Sequence, residues 1–187
     1  LHLCHHNLES IDTTSMTHKL LLEVCMAAYY EGDLIKTRHQ EHQLTNVGTS
    51  SQLCTVLARS FADIGDIVRG RDLFYGNDEE KKQRDKLDEN LKEIFKNIYD
   101  DLTKDNDNAA LKTRCQHDGP HYYKLREDWW YANRQQVWKA ITCDAPNNAQ
   151  YFRGTCSNDA SDTNEKCRCP KGDQVPTYFD YVPQYLR

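Results

Sequence analysis

Apolar residues return along this chain at three- and four-residue intervals, the spacing that lines one face of a helix. The most regular stripe is Leu87, Leu91, Ile94, Phe95, Ile98, Tyr99 and Leu102, which predicts a long helix from about Glu79 to Leu102. Its first turns are strongly charged, and Glu79 and Glu80 sit at the positive end of the helix dipole. Leu53, Val56, Leu57, Ser60, Phe61 and Ile64 predict a second helix, capped by Ser50 or Ser51 and continued past Gly65 by Ile67 and Val68. Earlier, Thr17 caps a helix through Tyr30 that turns Leu20, Leu21, Val24, Cys25 and Ala28 inward, with Gly32 as its stop. Residues 33–47 are polar and read as a solvated helix.

The stretch from Leu125 to Cys143, LREDWWYANRQQVWKAITC, carries all 3 tryptophans. Trp130, Arg134, Val137, Trp138 and Ile141 share one helical face, while Arg126, Glu127, Asp128, Asn133, Gln136 and Lys139 fill most of the other. Tryptophan buries a very large area, so this helix is expected at the centre of the core and not as an aromatic recognition surface. Trp129 falls at the stripe's edge. The predicted core is Trp130 and Trp138 with Phe61, Leu91 and Phe95. The remaining segments lack periodicity: 1–16 reads as extended, RGRDLFYGND as a turn, and 103–122 as a loop. Four of the 5 prolines lie beyond residue 145, so the tail from Asp144 to Arg187 reads as irregular.

Composition narrows this picture. A mean hydropathy of −0.88 is very polar for a globular domain, so the core must lie in narrow stripes or borrow stability from crosslinks. A net charge of −5 advertises no nucleic-acid partner. No run of about 18 apolar residues is available to span a membrane, and no signal peptide is visible. The 8 cysteines point to an oxidising compartment and to disulfides over zinc, because the single C-x-C at Cys167 and Cys169 has no partner pair. Those two are too close to bond each other and should have different partners. Cys143, Cys156, Cys167 and Cys169, within 27 positions of an irregular tail, are expected to pair mostly among themselves. No N-x-[ST] glycosylation acceptor occurs.

Chemistry-bearing motifs are missing. The glycines of the 70–76 turn do not fit a phosphate-cradling loop. Asp105 and Asp107 lack the glycine and the twelfth-position acid of a calcium loop. His39 and His42, at i and i+3, have no third ligand nearby, and His5 and His6 would face opposite ways on an extended chain. No nucleophile, base or metal set shares a face, so neither an enzyme nor a cofactor is expected.

Several blocks are specific enough to carry a resemblance. ARSFADIGDIVRGRDLF (58–74), the tryptophan helix, YFRGTC (151–156), CRC (167–169) and VPTYFDYVPQYLR (175–187) together resemble a Duffy-binding-like domain. The class they are most similar to is the alpha class, DBLα, at the N-terminal head of the Plasmodium falciparum erythrocyte membrane protein 1 family. LHLCHHNLESI and LLEVCMAAYYEG resemble its upstream blocks, and the divergent pieces, 33–47, 75–120 and 144–174, fall where that family varies most. The resemblance implies an all-α, disulfide-crosslinked helical bundle, here incomplete. Residues 1–16 would end a first subdomain, 17–145 form the helical second, and 146–187 lead toward a third that is absent. Disulfide candidates are Cys4, Cys25, Cys54, Cys143, Cys156, Cys167 and Cys169. Cys115 has no counterpart in the family pattern and is the candidate free thiol.

The resemblance further implies an adhesin, as part of a membrane-anchored protein on the infected red cell. Its partners would be a host erythrocyte or endothelial receptor, reached through heparan-sulfate-like or blood-group glycans or complement receptor 1, together with host antibodies and neighbouring adhesin domains. A spacer and variable immune target is the alternative. The densest cations for an anionic glycan are Arg69, Arg71, Lys81, Lys82, Arg84 and Lys86, interleaved with Glu79, Glu80, Asp85, Asp88 and Glu89. Lys112, Arg114 and Lys124 form a second, scattered set.

Overall fold

The computed structural model describes residues 17–45, 53–72, 76–104, 109–151, 153–159, 161–172 and 174–187, so expectations for Cys4, for the caps at Ser50 and Ser51 and for Asp105 and Asp107 lie outside the described residues. Helices α1 (Thr17–Thr45), α2 (Leu53–Arg69), α3 (Asp78–Thr103), α4 (Ala109–Arg114), α5 (Tyr123–Ile141) and α6 (Cys156–Asp159) are followed by two 3-10 turns, Phe179–Tyr181 and Gln184–Leu186. Among the described residues the sole β pairing is one bridge between Cys156 and Ser161.

The core forms around α5, which packs against α1, α2 and α3. Trp130 and Trp138 are buried, and the Phe61 ring of α2 lies 5.1 and 5.2 Å from theirs. Leu91 and Phe95 are buried too, and Trp129, at the stripe's edge, is buried edge-on against Phe95 at 6.1 Å. Close approach depends on two glycines. A Cβ on Gly65 would stand 2.7 Å from the Trp130 ring, so α2 carries glycine where the indole sits. A Cβ on Gly32 would collide with the Ile141 carbonyl oxygen. Gly32 is therefore a crossing point for α5, and α1 runs through it without stopping.

Other expectations shift in detail. Val56 and Leu102 are exposed, not inward, and the 103–122 loop contains the short helix α4. The Asp118 carboxylate opens α5 by accepting from the Lys124 and Leu125 amides, at 2.9 to 3.1 Å. Asn77, with Glu80, closes a capping box at the start of α3.

The tail is irregular but firmly tied. Cys54 of α2 bonds Cys167, 113 positions away, and Cys156 bonds Cys169. The one-residue spacing lets Cys167 face the core while Cys169 reaches α6. Of the four tail cysteines only Cys156 and Cys169 pair with each other: Cys167 goes to α2, and Cys143 is a free thiol, as is Cys25. Cys115 is also free, and buried. The Trp138 indole donates to the Cys167 carbonyl at 3.2 Å, and Tyr151 donates to Thr177 Oγ1 at 3.0 Å.

Candidate receptor-binding surface

The six cations singled out in the sequence do not form one patch. Arg69 is only 1% exposed. It donates to the Gly65 carbonyl at 2.9 Å and to Asp66 at 3.0 Å, pairs with Glu127 at 3.4 Å, and reaches the Asp180 carbonyl. A guanidinium with four intramolecular acceptors and no exposed surface cannot meet a receptor, so Arg69 belongs to the interior. Its position one helical turn beyond the Gly65 seat puts it inside.

Arg71 is exposed and pairs with Glu127 at 2.8 Å. Arg84 is mostly covered and pairs with Asp72 at 3.1 Å. Lys81 and Arg84 border a cavity of about 200 Å³ between α2 and α3, together with Asp72, Asp85 and Asp88. Lys81, Lys82 and Lys86 are exposed, with Lys82 and Lys86 one turn apart. In the second set, Arg114 grips Asp128 with two bonds of 2.5 and 2.6 Å, and Lys124 donates to the Arg114 carbonyl at 3.1 Å. Among the described residues, no group of three or more His, Cys, Asp or Glu is arranged to hold a metal.

What the residue pattern missed is an interior ion network that fixes this surface. Asp180, in the first 3-10 turn, is buried and accepts from Trp130 Nε1 at 2.9 Å and from Arg134 Nε and Nη2 at 2.8 Å each. Arg187 closes the same turn, donating to the Phe179 and Val182 carbonyls and pairing with Asp63 at 3.0 Å and Asp66 at 2.7 Å. Burial pushes the Asp63 and Asp66 carboxyls above the usual carboxylate range, although Arg187 pulls the other way. Arg126, placed on the polar face by its sequence position, is wholly buried. It donates to the Val68 and Ile67 carbonyls at the end of α2 and pairs with Asp88 at 3.0 Å. Burial lowers its pKa, with Asp88 opposing. Burial also raises the Asp88 pKa, but bonds from Lys92 and Arg126 outweigh it and hold that carboxyl low. The i, i+4, i+8 register of Arg126, Trp130 and Arg134 was the available signal.

The family model for the Duffy binding domain matches residues 1–187. Among solved structures, the chain is similar to the NTS-DBL1-alpha and CIDR-gamma double domain of PfEMP1 from the Plasmodium falciparum varO strain. That match has 44% identity and a TM-score of 0.77, covering 99% of this chain and 25% of that one. The NTS-DBL1(alpha-1) domain of the same strain matches at 44% identity and a TM-score of 0.76, over 99% of this chain and 40% of that one. The PfEMP1 IT4var13 DBLbeta domain bound to ICAM-1 matches at 32% identity and a TM-score of 0.70, over 99% and 40%. The chain thus spans well under half the length of the structures it matches. No curated protein matches it.

Proposed function

The chain belongs to the Duffy binding domain family, and from that premise we propose that it acts in an adhesion module of a variant surface antigen on infected erythrocytes. The observation that carries this reading is the 44% identity to NTS-DBL1-alpha across 99% of the chain. A DBLbeta relative at 32% identity has been solved with ICAM-1 bound, which supports receptor binding as the general role. The receptor class we assign is a red-cell glycan of the heparan-sulfate or blood-group type, or complement receptor 1. Residues 17–145 would be the helical second subdomain and 146–187 its connection onward. No helix among the described residues is long and apolar enough to cross a membrane.

Lys81, Lys82 and Lys86 are the exposed cations of the predicted cluster on α3, with Arg84 beside them, while Arg71 is exposed but paired with Glu127. Changing Lys81, Lys82, Arg84 and Lys86 together to glutamine should bring heparin elution to lower salt, since exposed charge contacts are individually weak and screened. Unchanged elution places the anionic-glycan contact elsewhere. A second reading, a spacer and immune target, is favoured by the pairing of Arg71 with Glu127 and Arg84 with Asp72, which neutralises part of this surface. Exchanging this domain while keeping its neighbour separates the two: a spacer exchange leaves red-cell adhesion intact.

A further inference from the structure

A polar cavity of about 210 Å³ lies between the second half of α1, the start of α2 and the turn after α5. Lys36, His39 and Gln40, at i, i+3 and i+4, share one face of α1 and meet Asn148 and Gln150 of the turn, with Leu53 among the apolar walls. The turn is held in place: Ala149 donates to the Pro146 carbonyl at 2.9 Å, and its own carbonyl accepts from Cys167 at 2.9 Å. Cys167 is in turn bonded to Cys54, another wall of the cavity.

Charge separates this cavity from two of the others, although the open groove at Arg114 and Lys124 also lacks a carboxylate among its described walls. The α2–α3 cavity contains Asp72, Asp85 and Asp88, and the groove at the C-terminal turns contains Asp66 and Asp180. Here the described walls include Lys36 and no carboxylate. The Lys36 ammonium is 3.5 Å from Asp33, a weak surface pair that leaves it free to turn inward. His39 Nε2 is buried without a hydrogen-bond partner. Burial, with help from His42, lowers the His39 pKa, so the ring is a neutral donor or acceptor. Size narrows the ligand further. A cavity of about 150 Å³ takes up a benzene ring, whereas a drug-sized ligand needs roughly 300–1,000 Å³. One six-membered ring with a few substituents fits between those limits.

We propose that this cavity is a recognition subsite for a single acidic pyranose unit of a glycan. Lys36 receives its carboxylate or sulfate, and Gln40, Asn148, Gln150 and His39 receive ring hydroxyls. The inference rests on the adhesion reading and gives it a second contact, remote from α3 in sequence.

The test is calorimetric titration of the protein with 3′-sialyllactose, a 6-sulfated N-acetyllactosamine, plain lactose and sodium sulfate. At least one acidic sugar should bind, with lactose and sulfate alone at least about tenfold weaker. Lys36→Gln should weaken the acidic sugar about tenfold, the loss expected for one charge-assisted hydrogen bond. Gln150→Ala, on the exposed turn, should weaken it about threefold and serves as the control if Lys36→Gln lowers the melting temperature. Lactose binding as well as the acidic sugars, sulfate alone matching them, no binding, or full affinity in both variants would each overturn the proposal. Red-cell binding measured alongside keeps the two readings apart. Cells that bind without sugar affinity remove the subsite only, and sugar affinity without cell binding removes the adhesion reading only.

Discussion

Replacing Asp180 with alanine should cost about 4 kcal/mol of folding stability, because it strands two buried donors at once. Arg134, whose side chain is 12% exposed, loses both of its bonds to the carboxylate, and Trp130 Nε1 loses its acceptor. Breaking a buried pair by removing one partner costs about 3–5 kcal/mol. An unsatisfied indole N–H alone costs about 1–3 kcal/mol. The two overlap, since both groups relax toward the same space, so the larger range governs. Set against a total of about 5–15 kcal/mol, this is enough to populate unfolded chains measurably. Urea unfolding with the disulfides intact, followed by tryptophan fluorescence and circular dichroism, reads it directly. The midpoint should fall by about 2 M at an unchanged slope near 2 kcal/mol/M. Asp180→Asn keeps the volume and one acceptor oxygen. A loss close to that of alanine would therefore assign the effect to charge and not to packing. A loss below about 1 kcal/mol in Asp180→Ala would refute the claim that this carboxylate holds the C-terminal turns onto α2 and α5.

Gly65→Ala should lower stability by about 1–3 kcal/mol, since the new methyl meets a rigid buried ring at 2.7 Å; a variant as stable as wild type would show that the indole can move. Removing the Cys54–Cys167 bond by a double serine change should cost about 5 kcal/mol, and removing Cys156–Cys169 about 3, following loops of 113 and 13 residues. Equal losses in thermal melts would contradict the loop-length ordering. The Asp66 carboxyl is pushed up in the fold, so the folded state binds its proton more readily than the unfolded chain does. Stability contributed by that proton is present at low pH and lost as pH rises through the window just above 3.8, the ordinary value. The melting temperature of wild type should therefore fall relative to Asp66→Asn across that window, and a relative rise would reverse the sign. Peptide mapping should find Cys25 and Cys143 as thiols, and a Cys25–Cys143 crosslink would contradict the structure.

Helical periodicity made α2, α3 and α5 legible because each presents one apolar face to one core. Trp130, Trp138, Phe61, Leu91 and Phe95 are buried as their stripes require. Glycine was harder to read. At Gly32 the local preference to end a helix competes with a backbone-to-backbone crossing, and the crossing partner, Ile141, is more than 100 positions away in sequence. The disulfides were legible only in part, for the same reason: Cys156–Cys169 closes within the tail as expected, and Cys54–Cys167 does not. Proximity in sequence favoured pairing within the tail, whereas Cys167 is delivered to α2 by the tail's return across the core. Periodicity reports what faces inward and is silent on what lies opposite.

The charged residues show this most sharply, because a cation's sequence environment looks alike whether it lies in water or in the core. Arg69 and Lys82 both sit in charged, helical stretches, yet Arg69 has an interior acceptor on every side while Lys82 is exposed. The difference follows from what each must do. Arg69, Arg126, Arg134 and Arg187 donate to backbone carbonyls, and the Asp66 and Asp180 carboxylates accept from Arg69, Arg134 and Arg187, so losing one leaves buried partners unpaired. Apart from the linkage of Arg126 to Asp88, these residues lie in the blocks that carried the family resemblance, 58–74, 125–143 and 175–187. The candidate contact residues lie elsewhere: Lys81, Lys82 and Lys86 within 75–120, and Lys36, His39, Gln40, Asn148 and Gln150 within 33–47 and 144–174. Apart from His39, whose Nε2 is buried, substitution there leaves the interior bonds intact, at a cost usually within about 0.5 kcal/mol for an exposed side chain. A frame pinned by buried ions and a disulfide across 113 positions can therefore present different exposed side chains without refolding. Under the adhesion role proposed above, that separation lets exposed contacts differ while the frame is kept.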